Sequence, residues 1–136
     1  MRISIPQAQI SFKDKELVDA YQKAFVRLAN RMDAEFRQII QTPGIFDGFP
    51  QDIVDTGALL RSQKMTIIGI GGVRWDWEVD YAVFVHEGYT LRGGKKQEGR
   101  PWTEKAMERL ILPNLFTEYF NQEINKIAIR SSDIDD

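Results

Sequence analysis

The sequence contains no cysteine, which leaves it without a disulfide framework, a thiolate metal site or a cysteine nucleophile. It has a single histidine, His86, so no second imidazole exists to complete a zinc site. A charge of one sign is missing too. Eighteen basic residues stand against twenty acidic ones, and the net charge of −2 argues against a general electrostatic grip on nucleic acid or on an anionic membrane. No run approaches the roughly 18 apolar residues of a membrane span. The opening Met1-Arg2-Ile3-Ser4-Ile5-Pro6-Gln7 lacks the long apolar stretch of a signal peptide. These absences predict a soluble protein with no export signal, compatible with assembly in the cytosol. No internal repeat or low-complexity tract interrupts the chain.

What is present suits an ordinary globular chain: 136 residues, 43% hydrophobic, 11% aromatic and 28% charged. A chain of this length buries roughly two-thirds of its unfolded surface, enough to fold without staples. The composition predicts a single α+β domain over 1–130 and a short acidic, frayed tail over 131–136, Ser131-Ser132-Asp133-Ile134-Asp135-Asp136.

Ile3 and Ile5, then Ile10 and Phe12, alternate on either side of Pro6 and predict short extended pieces at a sheet edge, where proline is tolerated. From Asp14, Val18, Tyr21, Phe25, Leu28, Met32, Phe36 and Ile39 recur at steps of three and four. That is one face of a helix about seven turns long, ending near Gln41 because Thr42-Pro43-Gly44 cannot continue it. The aromatic-rich Ile45–Val54 segment predicts an ordered surface loop, and Asp55 or Thr56 can cap a short helix through Ala58–Ser62.

Lys64–Ile70 and Val73–Val79 are β-branched and aromatic, with Gly71-Gly72 between them as a two-residue hairpin turn. In the second strand Val73, Trp75, Trp77 and Val79 would face the core, and Arg74, Asp76, Glu78 and Asp80 water or a partner. Tyr81–Glu87 predicts a short helix closed by Gly88, and Tyr89–Arg100 a mobile loop. From Pro101, the residues Ala106, Leu110, Leu115, Tyr119 or Phe120, Ile124, and Ile127 or Ala128 mark a second long helix, kinked or broken at Pro113. The order predicts an antiparallel sheet built around a central hairpin and packed on one face by a long N-terminal and a long C-terminal helix.

Candidate chemistry is sparse. His86 with Glu87 invites a metal or general-base role, against the plainer reading of a polar pair at a loop edge. Asp76, Glu78 and Asp80 would share one strand face at roughly 7 Å steps, a spacing that suits a hard cation or an acid–base pair. The plainer reading is the wet side of a strand or a charged subunit interface. Gly69-Ile70-Gly71-Gly72 lacks the Gly-Lys-Ser/Thr ending of a phosphate loop. Arg92, Lys95, Lys96 and Arg100, with Tyr89 and Trp102 nearby, form the one basic concentration, a candidate for contact with DNA.

Three segments in order carry a family resemblance. They are Val54-Asp55-Thr56-Gly57-Ala58-Leu59-Leu60-Arg61-Ser62, then Tyr81-Ala82-Val83-Phe84-Val85-His86-Glu87-Gly88, then Gly99-Arg100-Pro101-Trp102. Together they resemble the tail-completion, or head-to-tail joining, proteins of tailed phages, in which a D-T-G-x-L-x-x-S segment precedes the sheet, Y-A-x-x-V-x-x-G follows it, and R-P-[FW] opens the last helix. The resemblance spans about Val54 to Met107. It departs from the family pattern in the Leu91–Gly99 and Ile45–Pro50 loops.

The pieces also make physical sense. Asp55-Thr56-Gly57, with Leu60 and Ser62 after it, is a capped turn into a helix, and Gly88 permits a backbone reversal. Arg100-Pro101-Trp102 starts a helix on an aromatic anchor that can bury against the sheet. The resemblance implies a non-enzymatic virion protein of the neck, with no cofactor, metal or catalytic residue. It would be assembled in the host cytoplasm as a homo-oligomeric ring, a hexamer by family habit, between the head connector or stopper and the tail terminator or tube. Passing contact with genome DNA in the lumen is compatible with that place, and a membrane is not part of it. Asp76, Glu78, Asp80, Arg92, Lys95 and Lys96 are the candidate subunit or lumen surface. The alternatives are a tail-terminator or stopper subunit of the same neck and, in another class, a small metal-dependent nuclease or hydrolase using Asp76, Glu78, Asp80 and His86.

Overall fold

A computed structural model describes residues 1–7, 13–42 and 56–134. The periodic stripe that begins at Val18 becomes helix α1, Lys15–Gln41, and its Asp14 cap accepts the Glu16 amide at 2.8 Å. Phe25, Leu28, Met32, Phe36 and Ile39 are buried along its inner face, while Tyr21 and Val18 are half-buried near its start.

Strands β1 (Arg2–Ile5), β2 (Gln63–Ile68) and β3 (Gly72–Trp77) form an antiparallel sheet in the order β1-β3-β2. The central strand turns Val73, Trp75 and Trp77 inward, each fully buried. Phe36 of α1 meets the two tryptophans edge-on, at 5.0 Å from Trp75 and 5.8 Å from Trp77. The buried polar atoms of this contact are paired. Asp33 Oδ1 accepts Trp75 Nε1 (3.1 Å) and Gln63 Nε2 (2.8 Å), and Gln63 Oε1 accepts Trp77 Nε1 (3.1 Å). Gln22, two turns from the start of α1, clamps the hairpin tip by donating to Gly69 O and accepting the Gly71 amide, both at 3.2 Å.

Helix α2 (Thr56–Ser62) brings the fully buried Leu59 into the same core. After β3 come α3 (Ala82–Glu87), a hairpin of β4 (Gly88–Thr90) and β5 (Lys96–Glu98), α4 (Trp102–Arg109) and α5 (Leu112–Ile134). Helix α5 lies along α1: Tyr21 packs edge-on against Phe116 at 4.9 Å, and Arg27 donates to Gln122 at 2.7 Å while sitting over the Tyr119 ring. The molecule is therefore a mixed helix and sheet fold with a small antiparallel sheet and long helices toward each end, as the sequence predicts. No helix among the described residues is long and apolar enough to cross a membrane.

Several details differ from expectation. The turn between β2 and β3 is Gly69-Ile70-Gly71, since Ile68 pairs with Gly72. Gly69 (φ 54°) and Gly71 (φ 76°) supply the positive φ angles, whereas Gly72 is a strand residue whose side chain, if it had one, would meet Ile68 O at 2.5 Å. The segment expected as a mobile loop pairs as β4 with β5, Tyr89 opposite Gln97. The C-terminal helix, by contrast, is broken beside Pro113 as expected, at Leu110-Ile111, because Pro113, in the first turn of α5, has no amide to donate to the preceding turn. Helix α5 runs on through Ile134 where a frayed tail was expected, and no glycine or proline there halts it. The Ile10–Phe12 piece, the Ile45–Val54 loop and Asp55 lie outside the described residues.

Candidate functional site

The second and third resemblance segments meet. Tyr81 precedes α3, whose Ala82 is wholly buried and whose half-buried Val85 packs on the core. Gly88 ends that helix at φ 84°, where a side chain would strike Gln97 O at 2.6 Å and Gly99 N at 2.7 Å, so the backbone of β5 passes directly over it. The chain returns through Arg100, whose amide donates to Val85 O at 2.7 Å, and Pro101 leads into α4. Trp102 then buries its ring completely, edge-on to Trp77 of the sheet (5.5 Å) and to the His86 ring (4.8 Å).

His86 is therefore a core residue, and the expectation of a polar pair at a loop edge fails for it, since the Trp102 wall removes the ring from water. Its Nδ1 lies 2.5 Å from Glu87 Oε1 and its Nε2 2.6 Å from Thr103 Oγ1. The neutral tautomer that carries its proton on Nδ1 satisfies both contacts, donating to the carboxylate and accepting the threonine hydroxyl. A carboxylate, an imidazole and a hydroxyl in this order have the connectivity of a nucleophile relay. Thr103, however, is only 4% exposed and its β-carbon is branched, so no substrate carbonyl can reach the hydroxyl in this conformation. The relay acts as a strut, joining the last turn of α3 to the first turn of α4.

The alternating carboxylates do not form a shared face. Strand β3 stops at Trp77, so Glu78 and Asp80 lie beyond it, both exposed. Asp76 is nearly buried and already engaged, with Arg2 Nε at 2.7 Å and Arg74 Nε at 3.1 Å. The hydrogen bond from Arg2, helped by both guanidinium charges and only partly opposed by desolvation, holds its carboxyl below the usual carboxylate range. Among the described residues no three His, Asp or Glu side chains gather as a metal site requires.

The basic concentration is smaller than expected. Arg92, Lys95 and Lys96 are exposed on the β4–β5 hairpin, but Arg100 is buried, and Trp102 is sealed in the core where it cannot stack on a base. Tyr89 is exposed and packs edge-on to the exposed Phe84 at 6.2 Å. In the first segment, Thr56 starts α2, Gly57 is exposed, Leu60 is half-buried and Ser62 donates to Leu59 O at 2.8 Å. Helix α2 packs against α1 and β3.

Sequence reasoning missed Thr103, Asp33 and Gln63. Their roles depend on partners 17, 42 and 14 positions away, His86, Trp75 and Trp77, and no periodicity encodes such pairings. A separate groove of about 680 Å³ runs between the start of α1 and α5, lined by Lys15, Asp19, Lys23, Glu123 and Lys126. Burial of Glu123 opposes its ionisation, yet Lys126, at 3.0 Å, with Arg27 and Lys23 outweighs it and keeps that carboxyl below its ordinary range. Compared with known proteins, the chain matches no family model, no curated protein and no solved structure.

Proposed function

We propose that this chain is a structural subunit of the head–tail interface of a tailed-phage particle, a tail-completion protein that joins the head connector to the tail by ring assembly. The observation that carries the reading is the interlock of two of the three ordered segments. Val85 and His86 of one grip Arg100, Trp102 and the adjoining Thr103 of the other, and the hairpin between them is held out as an exposed arm. The segments thus serve as a rigid mount for a contact surface rather than as a reaction centre, which suits a protein that works by being touched on several sides. Exposed apolar and charged residues on the hairpin and α3 are the kind of surface that meets a neighbour.

The test is co-expression with the connector and tail-tube proteins of the particle that this reading assigns it to. Copurification with the connector, and presence of the chain in purified joined particles, are the expected results. Copurification with the tube alone would move the assignment to a tail terminator, and absence from joined particles would defeat it.

A further inference from the structure

Two exposed surfaces on this chain are complementary to each other. On α3 and β4, Val83, Phe84, Tyr89 and Leu91 stand in solvent, with Phe84 54% exposed. Arg92, Lys95 and Lys96 on the same hairpin border this apolar area with positive charge. On α4, Glu104, Met107 and Glu108 stand at i, i+3 and i+4 along one side of the helix, and Ile111 follows in the break just past its end at Arg109. All four are exposed, Ile111 to 63%. One surface is apolar with a mainly basic border, with exposed Glu87 and Glu98 beside it, and the other is apolar with acidic residues between, its Arg109 already paired with Glu35.

The charges of both surfaces are uncommitted. Elsewhere Asp76, Glu35, Asp33 and Glu123 are paired with arginines or lysines. Among the described residues, none of Arg92, Lys95, Lys96, Glu104 and Glu108 makes an ion pair. Exposed apolar side chains cost solubility, and matched charges around them select a partner and a register.

We infer that the β4–β5 hairpin and α3 of one copy dock on the exposed side of the Glu104–Ile111 segment of a second copy. Phe84 and Leu91 cover Met107 and Ile111, and Lys95 and Lys96 face Glu104 and Glu108. The contact names the surfaces through which copies of a neck subunit meet and rests on the proposed function's premise that the chain works as an oligomer. It also replaces Asp76 as the acidic side of a subunit contact, because Asp76 is occupied within its own sheet.

The test is sedimentation of the full chain over a concentration series, at low and high salt, with two charge-reversed proteins. The wild type is expected to associate, less so at high salt. Lys95→Glu with Lys96→Glu, and separately Glu104→Lys with Glu108→Lys, should each weaken association by about tenfold or more, with circular dichroism unchanged because all four side chains are exposed. Mixing the two reversed proteins should restore it, since each then offers the other a matched pair of surfaces. Phe84→Ser should weaken it to a similar degree, about tenfold. Reversed proteins that associate like the wild type, or a mixture that stays apart, would overturn this contact and leave the neck assignment untouched. A wild type that remains a monomer at every concentration would overturn it as well, whereas the neck assignment stands or falls on the particles themselves.

Discussion

Asp33 Oδ1 receives two donors, Trp75 Nε1 and Gln63 Nε2, from side chains that folding removes from water. Asp33→Ala strands Trp75 Nε1 and leaves Gln63 Nε2 only the Asp33 carbonyl at 3.1 Å, and an unpaired buried donor costs about 1–3 kcal/mol, so a loss of roughly 1–3 kcal/mol in denaturant unfolding is expected. Trp102→Ala removes the ring that separates Trp77 from His86 and opens a cavity, an expected loss of about 3–5 kcal/mol in the same measurement. Thr103→Val keeps the shape but removes the hydroxyl on His86 Nε2, so it should cost less, about 1–2 kcal/mol, with Thr103→Ser close to the parent.

The carboxyls of Asp76 and Glu123 are both held below their ordinary values of 3.8 and 4.5. The unfolded chain therefore takes up protons more readily than the folded one. The stabilisation they give is complete above those values and is lost as the pH falls below them. Asp76→Asn and Glu123→Gln should lower the melting temperature at pH 7 and flatten its fall between about pH 5 and pH 3. A fall as steep as the parent's would show that neither ion pair contributes.

At the scale of elements, Gly88 and Gly93 separate two costs that a glycine can avoid. Both have positive φ, 84° and 101°, but a side chain at Gly88 meets the β5 backbone whereas one at Gly93 meets nothing within 4 Å. Gly93→Ala should cost only the conformational part, about 1 kcal/mol, and Gly88→Ala distinctly more, about 3 kcal/mol, by thermal melts of the two variants. The elements also differ in how legible they are. Helix α1 is plain in the sequence because a 27-residue stripe with an Asp14 cap leaves little else it can be. The β2–β3 hairpin is plain in kind but displaced in turn, since three glycines stand within four positions and only backbone geometry says which two bend. The β4–β5 hairpin is hidden because its strands are three residues each, polar, and joined through glycines, the composition of a loop. Of the candidate site, the burial of Ala82 and Trp102 follows from their being apolar, whereas the burial of His86 and Arg100 does not. Polar side chains go inside only where a partner from a distant element waits for them, and a single sequence does not display that partner.

At the scale of the molecule, burial is concentrated between α1, the sheet and α4, where three tryptophans and Phe36 share one cluster. What projects from this core is the hairpin arm and the exposed side of α4, so the parts able to change without disturbing the core are also those proposed to meet other molecules. On the proposed function the chain acts through placement, and its removal should leave neighbouring assemblies finished but separate. The most direct measurement is electron microscopy of particles from a strain in which this reading frame is deleted. Filled heads and complete tails of normal length lying apart, rejoined when the wild-type chain is supplied, are the expected result. Joined, normal particles made without the chain would contradict it.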